Sequence, residues 1–332
     1  MNLSRLVTLS ALLAGLSACA ADRAMEPDRY LADVGMFFVG GSAPADASQH
    51  ADQALVHYFK ANRLDAAPLV LYPGLGLSSY IFISTPDGRQ GWAQQFALTG
   101  HPVYVYDPVE TGPSGFPAAA LQGNSPATVS SWDINQIWPR WGFGPERDKP
   151  HENVRFPVAD IDQFYASLPP RLASAPISGN EKAPNRSAVR KASDKDVAAL
   201  IALLEQIGPA VLIPHSMGGT SVFEVVRTRP ELVKAVVVIE PVGCPRSADA
   251  VKSWTNVPFL AVYGDYVEQR GQTGRRDACR STAQNLAAAG GNGTVLELTE
   301  VGVFGNTHLM MQDNNSAAIA ARIETWLREN VR

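Results

Sequence analysis

A serine at the end of an apolar run is the strongest sign of chemistry in this sequence. The segment Val211-Leu-Ile-Pro-His-Ser216-Met-Gly-Gly219 leads from a predicted buried strand through a tight turn into a predicted helix. Such a strand–turn–helix context lifts a nucleophilic hydroxyl above the edge of a sheet. Gly218 and Gly219 suit the turn because bulky residues would collide with neighbouring elements, although Pro214 replaces the first glycine of the usual G-x-S-x-G pattern. We therefore predict that Ser216 is a nucleophile; the alternative is a serine that only caps the helix.

A serine hydroxyl is a weak nucleophile and needs a positioned base. Where a nucleophile sits on such a turn, its base follows in the chain, after the last strand. His308 lies in the glycine-rich loop Gly302-Val-Phe-Gly-Asn-Thr-His308, which follows the predicted strand Thr294–Leu298. Four of the other histidines precede Ser216, and His215 lies inside the turn itself. His308 is therefore the predicted base; the alternative is an exposed loop histidine.

The acid that orients the base has two candidates, each at the end of a predicted strand. Glu240 ends Val236-Val-Val-Ile-Glu240 and precedes a proline, and Asp265 ends Leu260-Ala-Val-Tyr-Gly-Asp265. A carboxylate at the end of an apolar strand is costly to bury unless a charged or hydrogen-bonding partner compensates it. The residues alone leave both candidates open.

The oxyanion of acyl transfer needs two preorganised N–H donors. One is expected from Met217, the residue after the nucleophile, and the other from the loop after the strand Leu69–Tyr72. That loop reads Pro73-Gly74-Leu75-Gly76, and we select the Leu75 N–H as the second donor. The alternative is a glycine-rich turn with a purely structural role.

The elements that must position these residues alternate between short apolar runs and helix-length segments, a pattern typical of a mostly parallel sheet with flanking helices. Strands are predicted at Val34–Val39, Ala54–Lys60, Leu69–Tyr72, Val103–Tyr106, Ala210–Ile213, Ala235–Ile239, Phe259–Tyr263 and Thr294–Leu298. Helices are predicted at Trp92–Thr99, Asp194–Ile207, Met217–Thr228, Asp277–Ala289 and Ser316–Glu329.

A long interval between the strands ending near Asp107 and starting at Ala210 interrupts this alternation. A structureless loop of that length is unusual in a compact domain, so residues 112–192 are predicted to form a cap over the strand ends. Trp132, Trp138 and Trp141 lie within it. They could line an acyl or aromatic pocket, or form the small core of the cap.

The N-terminal residues have the pattern of an export signal. Arg5 precedes an apolar run from Leu6 to Ala18, too short to span a membrane, which ends in Leu16-Ser-Ala-Cys19. This ending resembles the bacterial lipobox, which implies a signal peptide over residues 1–18 and lipidation of Cys19. Residues 19–30 would then tether the domain at 31–332 to the periplasmic face of a membrane. The alternative is a soluble periplasmic or secreted protein.

Composition and the remaining cysteines add further expectations. Export into an oxidising compartment makes a Cys244–Cys279 disulfide plausible, with two free buried thiols as the alternative. A net charge of −4 gives no electrostatic reason to expect nucleic acid as a partner. We find no metal-ligand spacing and no glycine-rich phosphate loop, so no metal or cofactor is expected. The oligomeric state stays open.

From about Gly35 onward, the chain resembles a branch of bacterial α/β-hydrolase esterases with a Ser–Glu–His triad. The segments that carry the resemblance are Phe37-Phe-Val-Gly-Gly41, Thr85-Pro-Asp-Gly-Arg-Gln-Gly-Trp92, Val105-Tyr-Asp107, His215-Ser216, Glu240-Pro241 and Thr307-His308. It implies an α/β-hydrolase fold, with Glu240 as the acid and Asp265 as the second choice. Members can carry adjacent cysteines where this chain has Leu75-Gly76, so no redox feature is transferred.

The resemblance also implies the reaction, which is cleavage of a small-molecule carboxylic ester through an acyl-enzyme. A lactonase or amidase with the same triad is the enzymatic alternative. The alternative from another class is a non-catalytic surface lipoprotein that uses a hydrolase scaffold for binding.

Overall fold

A computed structural model describes residues 28–43, 49–121, 123, 128–173 and 192–331. The predicted signal peptide, Cys19 and most of the predicted tether lie outside these residues, as do residues 174–191 of the predicted cap. The strands are β1 (Leu31–Ser42), β2 (Ala51–Ala61), β3 (Leu69–Tyr72), β4 (Val103–Asp107), β5 (Thr128–Ser130), β6 (Arg171–Ala173), β7 (Ala210–Pro214), β8 (Val233–Ile239), β9 (Phe259–Tyr263) and β10 (Gly293–Glu297).

Eight of these strands form one sheet in the order β1-β2-β4-β3-β7-β8-β9-β10. The hairpin β1–β2 is antiparallel and joins β4 in antiparallel register, whereas every pairing from β4 to β10 is parallel. The carboxyl ends of β3, β7, β8 and β9 therefore meet at one edge of the sheet. Ligands of open α/β sheets bind at this edge, and the predicted site residues follow these strands.

Both faces of the sheet are buried, which explains why its central strands are continuous apolar runs. Along β3, Leu69 and Leu71 pack into one hydrophobic cluster, while Val70 and Tyr72 pack into the cluster on the opposite face. This two-residue alternation is the geometry of a strand whose side chains point to opposite sides.

Helices cover the two faces. They are α1 (Tyr80–Ile83), α2 (Trp92–Ala97), α3 (Ala118–Leu121), α4 (Ile134–Trp141), α5 (Ile161–Ala166), α6 (Asp194–Ile207), α7 (Gly218–Thr228), α8 (Ala248–Val251), α9 (Thr273–Ala288) and α10 (Ser316–Asn330). Residues of α1, α2 and α10 pack in the cluster that contains Leu69, and residues of α6 to α9 pack in the cluster that contains Val70. The predicted mostly parallel sheet with flanking helices is confirmed.

Helix α6 illustrates how local sequence sets these boundaries. Its side chains Ala199, Leu200, Leu203 and Leu204 are buried, at the spacing of one helical face. The Ser193 hydroxyl accepts a hydrogen bond from the Asp196 N–H at 3.3 Å and caps the first turn. Its C-terminal end is marked by Gly208, whose φ of 86° lies in a region open to glycine.

The segment between β4 and α6 carries α3, α4 and α5 and the two-stranded pair β5–β6. None of these elements was predicted individually. Helix α4 contains Pro139, and the two strands are three residues each, so neither helical nor alternating periodicity is visible in the sequence.

Two predicted helix boundaries differ from the structure by more than one residue. Helix α9 begins at Thr273 rather than Asp277, because its first turn is polar and has no capping side chain to mark it. Helix α2 ends at Ala97 rather than Thr99. Among the described helices, none has both the length and the apolar character needed to cross a bilayer.

A disulfide joins Cys244, in the loop after β8, to Cys279 on α9, with the Cα atoms 5.0 Å apart. The bridge closes a loop over a sequence separation of 35. Closing a loop of this size contributes about 4 kcal/mol to the free energy of unfolding in the chain-entropy model. The disulfide fixes α9 against the loop that begins at Glu240.

Candidate active site

Ser216 lies on the turn between β7 and α7. Its φ is 50°, a left-handed conformation that a non-glycine residue rarely adopts. The turn is fixed from both sides, because the Ser216 N–H donates to the Ile239 carbonyl at 3.0 Å and the Val242 N–H donates to the Ser216 carbonyl at 2.7 Å. Residues held in such strained conformations by their surroundings cluster at functional sites.

Three glycines permit this turn. A Cβ at Gly218 would collide with the ring of Tyr72, and a Cβ at Gly219 would lie 2.5 Å from the Val242 carbonyl oxygen. A Cβ at Gly74 would lie 2.9 Å from the Cβ of Ser216. The loop after β3 therefore passes directly beside the serine, as the predicted arrangement of nucleophile and oxyanion loop requires.

His308 is buried, and its ring is held by Glu240. The His308 Nδ1 lies 2.7 Å from the Glu240 Oε2. With the Nδ1 proton donated to the carboxylate, the neutral ring leaves Nε2 unprotonated and able to accept a proton. The backbone of His308 is held by the segment before α6, since its N–H donates to the Trp141 carbonyl at 2.9 Å.

Glu240 follows the last residue of β8 with a φ of 40°. Its Oε1 accepts the Gly264 N–H at 2.9 Å, and its Oε2 accepts a hydrogen bond from the Arg270 Nη1 as well as from His308. The side chains of Glu240 and Arg270 are 3% and 2% exposed. A carboxylate this deeply buried is compensated by one cation and two further donors.

The Asp265 carboxylate is directed elsewhere. Its Oδ1 accepts the Tyr266 N–H at 2.9 Å, and its Oδ2 accepts the Gly305 N–H at 3.1 Å. Gly305 lies three residues before His308. Asp265 therefore braces the loop that carries the histidine, while Glu240 contacts the imidazole.

Two further side chains hold the His308 loop. Asp313 accepts the Thr307 N–H and the Thr307 hydroxyl, each at 2.8 Å, and burial raises the pKa of Asp313 to about 7. His215, beside Ser216, donates from Nε2 to the His308 carbonyl at 3.0 Å, and the two rings are 4.4 Å apart. The nucleophile turn and the histidine loop are thus directly joined.

The electrostatic surroundings favour a neutral histidine. Burial lowers the pKa of His308 well below the ordinary value for histidine, and the positive charges of Arg270, Arg275 and Arg140 lower it further. A general base must be unprotonated before it can take a proton. The surroundings of His308 therefore favour the unprotonated ring that this requirement demands.

The two backbone N–H groups proposed as oxyanion donors are not used by hydrogen bonds within the described protein. Within the described part of the chain, neither the Leu75 N–H nor the Met217 N–H has a hydrogen-bond acceptor. The Leu75 carbonyl accepts the Trp132 Nε1–H at 2.7 Å, which fixes the loop after β3. A cavity of about 150 Å³ is lined by Leu75 and Met217, but by neither Ser216 nor His308.

The tryptophans of the segment between β4 and α6 form a core. Trp132, Trp138 and Trp141 are 7%, 2% and 3% exposed. Trp138 and Trp141 pack edge-to-face against Phe143, and Trp132 packs edge-to-face against Trp141. Of the two interpretations that the sequence left open, this packing favours an internal core over a pocket lining. Trp132 and Trp141 additionally contact the oxyanion loop and the histidine loop.

Metal ligands do not occur as a group in the described ranges, where no three His, Cys, Asp or Glu side chains are placed to hold an ion.

Residues 67–294 match the family described as alpha/beta hydrolase fold, and the chain belongs to that family. A solved structure described as a novel bacterial esterase is 29% identical, with a TM-score of 0.78 over 91% of this chain and 97% of that one. A probable secreted lipase, phiG, from a fungal species (strain ATCC 74256) is 24% identical over 331 residues, 82% of this chain and 84% of its own length. These relatives confirm the predicted fold class and support a hydrolase.

Arg270 and Asp313 were not predicted as site residues. Arg270 lies in the loop after β9, and nothing in its neighbourhood marks it as the partner of a carboxylate 30 residues earlier. Asp313 lies just beyond His308 in a polar run, where a buried acid cannot be distinguished from a solvated one.

Replacing Arg270 should shift the pH dependence of activity. In Arg270→Gln, His308 loses a nearby positive charge and Glu240 loses its cation, and both changes raise the pKa of His308. The acid limb of kcat/KM should therefore move to higher pH. Arg270→Lys keeps the charge and should hold the limb near its wild-type position. An unmoved limb in folded Arg270→Gln would contradict this electrostatic account.

Proposed function

We propose that this protein is a serine esterase that cleaves carboxylic esters through an acyl-enzyme on Ser216. The observation that carries the proposal is the buried Glu240–His308 hydrogen bond, joined through His215 to the strained turn that holds Ser216. Base, acid and nucleophile thus come from three separate loops at one edge of the sheet. A structural role alone gives no reason for this convergence.

In the proposed acylation step, His308 Nε2 takes the Ser216 hydroxyl proton while Oγ bonds to the ester carbonyl carbon. The carbonyl electron pair moves onto oxygen, and the N–H groups of Leu75 and Met217 stabilise the resulting oxyanion. Collapse of this intermediate breaks the bond to the alcohol, which receives the proton from His308. The acyl group remains on Ser216.

Deacylation repeats these steps with water as the nucleophile. His308 takes a proton from water, the oxyanion forms at the same donors, and collapse returns the proton to Ser216 as the acid departs. Glu240 fixes the tautomer of His308 and stabilises the transient imidazolium.

Two similar proteins also support the proposed cleavage of esters. One is described as an esterase and the other as a secreted lipase, and both names refer to ester-cleaving proteins. We therefore assign carboxylic esters as the substrate class, ahead of lactones or amides.

Ser216→Ala is the direct test of the function. Against p-nitrophenyl esters of graded acyl length, the wild type should turn over and Ser216→Ala should lose kcat on the order of 10⁶-fold. The control Ser281→Ala, whose hydroxyl donates to the Asp277 carbonyl within helix α9, should keep wild-type turnover. Near-wild-type activity in Ser216→Ala would remove the proposed nucleophile.

The same assay separates the alternative functions when a lactone and an anilide are included. A wild type that cleaves one of these and no ester would be a lactonase or an amidase. A wild type that cleaves none of the compounds would favour a binding protein built on a hydrolase scaffold.

We further propose that residues 112–192 form a cap over the site. Its described part reaches both catalytic loops, through the Trp132 hydrogen bond to Leu75 and the Trp141 hydrogen bond to His308. Displacing this segment would therefore disturb the oxyanion loop and the base together.

We also propose that the protein is exported and anchored through lipid on Cys19. The support is the signal-like N-terminus with its Leu-Ser-Ala-Cys ending, together with the description of one relative as secreted. More than one acyl chain is needed for durable anchoring, and a diacylglycerol unit on the thiol would supply two.

Cys19→Ser should abolish membrane attachment in a bacterial host. Without the thiol no thioether can form, so the protein should appear in the soluble fraction or remain as an unprocessed precursor. Fractionation followed by intact mass measurement distinguishes these products. The control Ala21→Ser should stay in the membrane fraction. Unchanged membrane fractionation of Cys19→Ser would overturn the anchor.

A further inference from the structure

An exposed apolar surface lies on β1, the strand at one edge of the sheet. Val34, Met36 and Phe38 are 55%, 66% and 55% exposed. They alternate along the strand, so their side chains point out of the same face of the sheet. We call these three residues the β1 stripe.

Two further exposed apolar side chains lie where β1 begins. Tyr30 directly precedes the strand, and its N–H and carbonyl are hydrogen-bonded to Asn62. Leu64 follows Asn62 by two positions in the same loop. With the β1 stripe, these side chains are five of the nine large hydrophobic side chains that are exposed in the described ranges. Exposed apolar surface is therefore concentrated at this edge of the domain.

The fold covers only one face of β1. The alternate residues Phe37 and Val39 pack with the hydrophobic cluster that contains residues of α6. The residues of the β1 stripe point to the opposite face and belong to neither hydrophobic cluster of the described chain. Contiguous apolar surface that a fold leaves open in this way marks an interaction site.

Pairing of β1 with the same strand of a second copy would not cover the stripe. Edge-to-edge pairing satisfies the open backbone N–H and C=O groups of an edge strand. Such pairing extends the sheet sideways, and the side chains of the stripe still point out of its face. The stripe therefore fits a broad apolar surface that lies against the face of the sheet.

The proposed lipid anchor is close to the stripe in the chain. Leu31, the first residue of β1, follows Cys19 by twelve positions, and Val34 follows it by fifteen. A fully extended chain spans at most about 3.6 Å per residue, so β1 begins within roughly 40 Å of Cys19 whatever path the tether takes. A bilayer that holds Cys19 is therefore always within reach of this edge of the domain.

We propose that the β1 stripe rests on the phospholipid bilayer in which Cys19 is anchored. This inference rests on the proposed anchor and is independent of the esterase function. The stripe would place apolar side chains at the boundary between headgroups and acyl chains, where binding strength scales with the apolar area buried. The ring of Tyr30, apolar in its body and polar at its tip, suits the headgroup level beside it. The contact gives the tethered domain a fixed orientation on the membrane.

A fluorophore on the stripe tests the contact in the full lipidated protein. Cys19 carries the proposed lipid and Cys244 is bridged to Cys279, so Met36→Cys adds the single free thiol of the chain. A nitrobenzoxadiazole on this thiol is observed in vesicles of phosphatidylethanolamine and phosphatidylglycerol that carry nitroxides on the upper acyl chain. We expect blue-shifted emission that the nitroxides quench.

The matched control places the same fluorophore at Val301→Cys. Val301 is also an exposed apolar residue, 44% exposed, but it follows β10 at the opposite edge of the sheet. Its fluorophore should show the emission of a water-exposed group and no quenching by the nitroxide lipids.

Variants then assign the contact to the stripe. Adding Val34→Thr and Phe38→Thr to Met36→Cys removes apolar area while keeping residues that favour strands. The ratio of quenched to unquenched fluorophore should fall on the order of 10- to 100-fold, the scale of burying one such side chain. Adding Val34→Ile and Phe38→Leu instead keeps the apolar area and should keep the ratio. Circular dichroism verifies that each variant is folded.

Four outcomes are distinguishable. Lipid quenching at position 36 that depends on Val34 and Phe38 supports the proposal. Vesicle-bound protein with a water-exposed fluorophore at position 36 overturns the proposal and leaves the anchor intact. Blue-shifted emission that the lipids do not quench, and that is lost when the protein is diluted among more vesicles, assigns the stripe to a second copy and also overturns it. Absence of lipid on Cys19 by intact mass overturns the anchor and this inference with it.

Discussion

The buried carboxylate of Glu240 sets the strongest constraint on this structure. An ionised carboxylate removed from water costs several kcal/mol unless donors and a cation replace its hydration. Here the Gly264 N–H, the Arg270 guanidinium and the His308 imidazole fill that role, and they come from two different loops. The end of β8, the loop after β9 and the loop after β10 are thereby held in one arrangement.

Further hydrogen bonds join the loops held by Glu240 to the rest of the site. The histidine loop is braced by Asp265 and Asp313, and it is tied through His215 to the turn that carries the serine. The segment before α6 contributes the Trp141 and Trp132 contacts, so the histidine loop and the loop after β3 share one support. Burial and the positive charges of Arg270, Arg275 and Arg140 lower the pKa of His308.

The fold, and the positions of Ser216 and His308 within it, could be predicted because their signals are local. Continuous apolar strands, the Ser216 turn and the position of His308 after the last strand follow from periodicity and chain order. The choice between Glu240 and Asp265 could not be made from spacing, because both end apolar strands; the family resemblance favoured Glu240, and the hydrogen bonds give the two acids different partners. Arg270 escaped prediction because its importance depends on contacts between segments distant in the chain.

The most direct test of this account compares kcat/KM for an ester between Glu240→Gln and Asp265→Asn. Gln at position 240 keeps the size of the side chain but disfavours the productive tautomer of His308 and leaves the imidazolium unsupported. We predict a loss of about 10⁴-fold for Glu240→Gln, the scale known for such a change at a related triad, and a far smaller loss for Asp265→Asn. The reverse order of losses, with both variants folded, would contradict the assignment of Glu240 as the acid.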